Sequence, residues 1–325
     1  MKVTMQQIGQ TLGVSKVTVS KALSGQSGVS EAMRKKIRSK AAELGYKGAK
    51  EERSLNVGVL IPNRFFDTNS FYSMLYRMLV EELSRAGCFA LLELLDDEAE
   101  KKNLLPNLIR SGKTDVIIVM GQPCKQYVRT IACGDTPVIF LDFYDEDAAA
   151  DAVVGDSTYG SYRLTNHLIK EGHKCIGFVG EPLATSSIMD RYLGFFRAMM
   201  SNGLTVSPEW IIPDRETYDS RIKISLPERL PTAFVCCCDL TACEVIRLLG
   251  ERGLRVPEDV SVMGFDDFCT EKPTVPLSTF RVNYEQMIKQ TVQLTRTKAD
   301  GVRTAGGRIV IGGTPVYRES DKPLK

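Results

Sequence analysis

No apolar run in the 325 residues approaches the roughly 20 that a membrane-crossing helix needs, so no membrane partner is expected. The chain has no CxxC pair, and its only two histidines, His167 and His173, lie far from its one cysteine cluster, Cys236 to Cys238 with Cys243. Metal-ligand spacing is therefore missing. There is no GxxxxGK[ST], no GxGxxG after the first strand-like run and no convincing Ser-His-Asp spacing. Those absences disfavour a phosphate-cradling loop, a dinucleotide site and triad hydrolysis. No cofactor, no metal and no enzymatic activity are expected. Nine cysteines are an odd, scattered number, and the chain starts without a signal peptide. That fits a reducing cytoplasm, not a disulfide framework. The run AFVCCC reads as strand cysteines packed as small hydrophobes.

A strong charge of one sign is also missing, at a net +2. The balance is uneven, however. Residues 1–54 hold 11 Lys/Arg against 4 Asp/Glu, a net +7, and the remaining 271 hold 31 against 36, a net −5. A basic head on an acidic body is the asymmetry of a nucleic-acid-binding domain joined to something else.

The head contains the most informative stretch, TMQQIGQTLGVSKVTVSKALS, from Thr4 to Ser24. Its spacing predicts helices over about Met5–Leu12 and Lys16–Leu23. Thr4 and Gln7 have the spacing of a capping box, and Ser15 can cap the second helix through the Thr18 N–H. Gly13 sits where the chain reverses, and Gly9 allows close helix approach. Ile8, Leu12, Val14, Val19 and Leu23 make the buried seam, which is a helix-turn-helix pattern. On the second helix Lys16, Val17, Ser20 and Lys21 share the opposite face. Lysine reaches guanine acceptors or phosphates, and valine packs on a thymine methyl. A solvated polar face on a small bundle is the blander alternative. A third helix follows from Val29, with Met33, Ile37, Ala41 and Leu44 at helical spacing and Gly45 as its stop. The segment KGAKEERS at 47–54 has no apolar period and reads as a linker.

From Leu55 the period changes. NVGVLI, CFALLELL, DVIIVM, PVIFL, KCIGFVG, TAFVCC and VSVMGF are short apolar runs, separated mostly by amphipathic stretches at 71–87, 99–111, 159–171, 191–202 and 241–252. The run Ser278–Phe280, a helix Tyr284–Thr297 and strand-like RIVIGG and PVYRES complete the chain. Alternating strands and helices predict parallel sheets with helices on both faces. Seven or more strands exceed one small sheet. Two α/β lobes are expected, with a break near Asp151–Asp156. The fold class is therefore an all-α helix-turn-helix head, residues 1–46, followed by two α/β lobes. The first lobe covers about 55–153 plus 280–306, and the second about 154–279 plus 307–325.

Ligands of open α/β sheets bind beyond the carboxyl ends of strands. That rule points to Phe71 and Tyr72, to Asp142 after PVIFL, to Ser187 and Arg191, and to Asp266 after VSVMGF. Carboxylates accept from hydroxyls, arginine donates a planar fork and an aromatic face covers a ring. The set suits a small polar ligand such as a sugar or nucleobase. Each residue also has an ordinary reading. Phe71 and Tyr72 could pack in the core, Arg191 could pair with Asp190 on a surface, and Asp266 or Asp267 could serve a turn. Asp239 reads as a helix N-cap.

Together these motifs make the chain resemble the LacI/GalR family of bacterial transcription repressors over essentially its whole length. The resemblance is carried by IGQTLGVSKVTVSKALSG, then VS and LGY in the head, and by NSFYSML, GHKCIGFVG, MDRYLGF, PTAFVCCCDLTA, LRVPEDVSVMGFDDF and a terminal YRES in the body. It implies a homodimer that places the second helix in the major groove of each half of a palindromic DNA operator. The matching base-contact positions are Lys16, Val17 and Lys21, and the phosphate-contact positions are Thr4, Ser15 and Thr18. It also implies a periplasmic-binding-protein-like body whose cleft takes a small effector at Phe71, Tyr72, Asp142, Ser187, Arg191 and Asp266. The expected function is a repressor of a carbohydrate-related operon responding to a sugar. A nucleobase or phosphosugar effector, or a sugar- or nucleotide-processing enzyme with a DNA-binding head, are the alternatives.

The linker departs from the family pattern. It has no Pro-Asn and no wedging leucine, and Glu51 and Glu52 repel phosphates. Eight extended residues still span about 27 Å, enough for the head to reach DNA. Cys238 stands where many members have an amide or other polar side chain. Little kinking at the operator centre is expected; a DNA complex with a bent, unstacked central step would contradict this.

Overall fold

A computed structural model describes residues 3–24, 28–46, 54–68, 70–217, 221–270, 273–302 and 306–324. The chain divides into two compact units, Met1–Ser54 and Leu55–Lys325. The linker expected at 47–54 lies outside the described residues, Ser54 excepted.

The first unit holds α1 (Met5–Leu12), α2 (Lys16–Ser24) and α3 (Glu31–Glu43). At the start of α1 the capping box is complete: Thr4 Oγ1 accepts from Gln7 N, and Gln7 Oε1 accepts from Thr4 N at 2.8 Å. Gly13 ends that helix at φ +66°, a left-handed value that glycine adopts without a Cβ penalty. Ser15 Oγ accepts from Thr18 N at 3.0 Å at the head of α2. Ser30 caps α3. Ile8, Val19, Ala22, Ile37 and Ala41 are buried together, and Leu12, Val14 and Leu23 pack around them.

The second unit opens with β1 (Asn56–Pro62), α4 (Phe71–Arg85), β2 (Phe89–Leu95), α5 (Asp97–Lys101), α6 (Asn107–Arg110), β3 (Val116–Met120), α7 (Lys125–Ala132), β4 (Val138–Leu141) and β5 (Asp151–Gly155). It continues with α8 (Ser157–Lys170), β6 (Ile176–Val179), α9 (Ser186–Ser201), β7 (Ile211–Ile212), β8 (Ala233–Cys236), α10 (Asp239–Glu251) and β9 (Ser261–Met263). The last elements are β10 (Thr279–Val282), α11 (Tyr284–Ala299), β11 (Arg308–Ile311) and β12 (Gly313–Val316). One parallel sheet has the order β11-β5-β4-β3-β1-β2, and a second has β7-β6-β8-β9. The strands β10 and β12 form a separate antiparallel pair.

Burial on both faces explains why the inner strands β1, β3 and β4 are almost wholly apolar. Along β3, Val116, Ile118 and Met120 enter one core and Ile117 and Val119 the other. The neighbouring β4 does the same, with Ile139 and Leu141 on one side and Val138 and Phe140 on the other. Tyr127, Val128 and Ile131 of α7 cover the second face.

The structure revises four of the sequence expectations. Asp151–Gly155, read as the break between lobes, is a buried inner strand of the first sheet, registered on both β4 and β11. Arg308–Ile311, assigned to the second lobe, is the edge of that same sheet, because Arg308 to Ile311 pair with Ala152 to Gly155. The single helix expected at 99–111 is two short helices, since Pro106 cannot continue a helix interior and stands before α6. The helix α7 lies where none was expected.

Helices α8 and α9 touch through Gly194. A Cβ added there would overlap the carbonyl oxygen of Thr158 and meet Ser161 Cβ at 3.0 Å. Gly194→Ala is expected to destabilise the second unit by about 2 kcal/mol. Urea denaturation followed by circular dichroism reads this, and an unchanged midpoint would mean that the two helices do not pack this closely.

Candidate functional sites: the outer face of the second helix and an interlobe cleft

In the first unit, α2 turns Val19 and Ala22 inward, which leaves Lys16 and Val17 exposed and Ser20 and Lys21 half-buried. Val17 is 62% exposed. Thr4 and Ser15 stand at the starts of α1 and α2, and both are exposed. Thr18 lies one turn into α2, its hydroxyl 2.8 Å from that of Ser15. The seven residues thus occupy the two helix starts and the outer face of α2. Helix starts present free backbone N–H groups and favour anions.

In the second unit, Phe71, Tyr72, Asp142, Ser187, Arg191 and Asp266 all line one cleft of about 260 Å³ between the lobes. Phe71 and Tyr72 begin α4, which Ser70 caps. Asp142 follows β4, and Ser187 and Arg191 lie on the first turns of α9, which Thr185 caps. Asp266 follows β9. Asp142 and Asp266 have φ of +73° and +103°. Such backbone is strained for side chains other than glycine and collects at functional sites.

Arg191 is buried at 6% exposure. Its Nη2 donates to Asp266 Oδ1 at 2.8 Å, its Nη1 donates to the Cys237 carbonyl, and its guanidinium lies 4.1 Å from the centre of the Phe265 ring. Its buried Nε has no hydrogen-bond partner. The Tyr284 hydroxyl donates to Asp266 Oδ1 at 3.1 Å. Opposite, the Tyr72 hydroxyl donates to Asp142 Oδ2 at 3.1 Å. Burial pushes the Asp142 carboxyl up to about 7, with Arg191 opposing and Asp266 reinforcing the shift. Burial likewise keeps Tyr72 and Tyr284 well above the ordinary phenol value, so both remain donors.

The ordinary readings fall out differently. Asp190 accepts from Tyr144 and is not the salt-bridge partner of Arg191. Phe71 meets Phe268 and Tyr284 edge-on and also borders the cleft. Asp267 pairs with Arg281 and Arg318. Asp239 is not an N-cap; Cys238 holds that position without a side-chain bond to the helix backbone. Its carboxylate instead accepts from Phe268 N at 2.7 Å and Thr279 Oγ1 at 2.6 Å, and burial pushes it up to about 9.

The cleft also contains Arg64, Phe65, Arg215, Ile222 and Phe268, which the sequence reading missed. Arg64 and Phe65 directly follow β1, so the strand-end rule could have reached them. Arg215 follows β7, a two-residue strand with too little pattern to be read. Arg64 makes a two-pronged pair with Glu100, and Arg215 one with Asp214 at 2.6 Å. A wider groove of about 780 Å³, bordered by Met74, Met78 and Arg281, abuts Asp266. The smaller cleft is the better ligand site, because it is lined by two buried donors without partners, Nε of Arg64 and Nε of Arg191.

Known proteins match this architecture. The profile of bacterial regulatory proteins of the lacI family fits residues 4–48, and that of a periplasmic binding protein-like domain fits residues 165–320. The HTH-type transcriptional repressor PurR of Pasteurella multocida is 30% identical over 305 residues, which span 90% of each chain. Two solved structures share the fold. The lac repressor dimer bound to operator and the anti-inducer ONPF has a TM-score of 0.66 at 20% identity, covering 98% of this chain and 99% of its own. The regulator CcpA of Lactococcus lactis has a TM-score of 0.71 at 20% identity, covering 83% of this chain and all of its own.

A carboxyl raised from 3.8 to about 7 keeps its proton in the folded state where the unfolded chain has lost it. Its contribution to stability is therefore complete below about pH 4 and is lost as pH rises to about 7. Asp142→Asn is expected to remove this loss, gaining about 4 kcal/mol relative to the parent between pH 4 and pH 8. Denaturant midpoints across that range measure it, and parallel pH profiles for the two proteins would show that Asp142 is ionised throughout.

Proposed function

The chain belongs to the lacI family of bacterial regulatory proteins and is a transcriptional repressor, and on that premise we propose that its hold on DNA is set by a sugar bound between the two lobes. The regulated genes are then carbohydrate-related. The observation that carries the ligand reading is the buried Arg191 in the cleft, with one N–H committed to Asp266 and another, Nε–H, lacking a partner. An unmet buried donor costs about 1–3 kcal/mol, which a ligand acceptor recovers.

Charge bears on ligand class. Arg64, Arg191 and Arg215 each already meet a carboxylate, of Glu100, Asp266 and Asp214. Among the described residues, every cation lining the cleft already has a carboxylate partner, which disfavours a phosphosugar. A cleft of about 260 Å³ is close to the lower end of small-molecule sites, about 300 Å³. It suits one ring with several hydroxyls, held by Asp142, Ser187, Arg191 and Asp266. Phe71 and Tyr72 cover its apolar edge. A nucleobase is the second reading, favoured by the ring faces of Phe65, Phe71, Tyr72 and Phe268 around the same space.

On the DNA side, Lys16, Val17 and Lys21 read base edges in the major groove. Ser20 lies on the same face, and Thr4, Ser15 and Thr18 hold phosphates. The family's repressors bind operator DNA and small effectors and act as dimers. Here that means a cytoplasmic homodimer on a palindromic operator, with residues 1–46 as the DNA-binding domain and 55–325 as the effector-binding and dimerising body. The sugar changes DNA affinity only by its unequal affinity for two arrangements of the lobes.

A thermal-shift panel of sugars, sugar phosphates and nucleobases tests the ligand class. A sugar at 100 times its Kd adds about 2.7 kcal/mol of stability. Stabilisation by nucleobases alone selects the second reading, and stabilisation by sugar phosphates alone refutes the charge argument. Arg191→Ala is expected to abolish the ligand shift and leave operator binding in place. Lys16→Ala and Lys21→Ala are expected to weaken operator binding by about 1–3 kcal/mol where they read bases, with the body's ligand shift unchanged. Normal operator binding by both lysine variants at physiological salt would displace the recognition surface from α2.

A further inference from the structure

The cysteines that looked inert in the sequence include one pair in contact. Cys243 Sγ on α10 lies 3.8 Å from Cys269 Sγ, although the two are 26 positions apart. Both are free and only half-buried, whereas Cys236 and Cys237 are buried. The pair adjoins the cleft. Cys243 lies one turn after Asp239, on the same face of α10. Asp239 accepts from the backbone of Phe268, the neighbour of Cys269. Phe268 lines the cleft and meets Phe71 edge-on, with ring centres 5.7 Å apart.

We propose that Cys243 and Cys269 are a reversible oxidation site, joined by a disulfide under peroxide that clamps the cleft-lining turn Asp266–Phe268 to α10. The two sulfurs need to close from 3.8 Å to about 2.05 Å, a movement that a side-chain rotation or a small loop shift supplies. The hydrogen bond between the thiols favours ionisation of Cys243 and holds the proton on Cys269, so Cys243 is the attacking sulfur. Its thiolate attacks one oxygen of hydrogen peroxide, the O–O bond breaks, and the departing hydroxide takes a proton to become water. Cys243 is left as a sulfenic acid. The sulfur of Cys269 then attacks the sulfenic sulfur, the S–S bond forms, and the sulfenic oxygen leaves as a second water with the thiol proton. Two thiols are oxidised by two electrons, and one peroxide is reduced to two waters. A thiol reductant reverses the step by exchange. In a reducing compartment such a bond is transient and regulatory.

The test uses full-length reduced protein treated with about one equivalent of hydrogen peroxide, alkylated, digested and mapped by mass spectrometry. The expected result is a Cys243–Cys269 cross-link as the first disulfide formed, reversed by dithiothreitol. Amide exchange across residues 264–270 is expected to slow by about tenfold in the oxidised protein. Cys243→Ser and Cys269→Ser should each remove both effects while leaving the circular dichroism of the reduced protein unchanged. Where a serine variant does not fold, Cys243→Ala replaces it, and the peptide map of the parent needs no variant at all. A first cross-link between Cys237 and Cys238, separate sulfinic acids on Cys243 and Cys269, or a Cys243–Cys269 cross-link without slowed exchange would overturn the proposal.

Discussion

The buried ion pair between Arg191 and Asp266 is the contact on which the organisation of the body turns. Arg191 comes from the helix after the first strand of the second sheet. Asp266 sits on the segment that leaves that sheet, and Tyr284, which donates to the same carboxylate, begins a helix packed on the first sheet. One carboxylate therefore ties both lobes. A buried pair adds little net stability against an apolar alternative, but removing one partner strands a charge and costs about 3–5 kcal/mol. That asymmetry makes the pair intolerant of loss. A ligand can divert one of its hydrogen bonds only by supplying an equivalent one.

Around this pair the cleft is built from opposed demands. Burial raises the Asp142 carboxyl to about 7, so near neutral pH it holds a proton part of the time, while Asp266 faces a guanidinium. The protonated Asp142 can donate as well as accept, and Asp266 accepts from Arg191 and Tyr284. Both aspartates sit on left-handed backbone, which costs stability and aims their side chains into the space between lobes. A regulatory cleft needs such preorganisation, since the ligand's effect on DNA is limited by its differential affinity for the lobe arrangements.

Much of this was legible in the chain. The capping box at Thr4 and Gln7, the turn at Gly13 and the cap at Ser15 depend on residues three or four positions apart. The outer face of α2 was readable for the same reason. The inner strands were readable because burial on both faces leaves little but apolar residues. The six cleft residues emerged from the strand-end rule and the family resemblance together, and they lie on one cavity. The inner strand Asp151–Gly155 is obscured by its leading aspartate and its closing glycine, and the place of β11 is not legible because parallel pairing leaves no local mark of its partner.

Local order, the charge split and the α/β alternation were therefore determined by the sequence itself, since each rests on short-range hydrogen bonds or on burial periodicity. Tertiary structure alone decided which polar groups meet. Arg191 chose Asp266, 75 positions away, over its neighbour Asp190. Asp239 left the cap to hold Phe268 and Thr279. Cys243 met Cys269 rather than remaining one of nine scattered thiols. Such pairings depend on how whole elements stack, and elements stack to bury apolar area, a force with no direction of its own. The polar partners are settled only once that packing has closed.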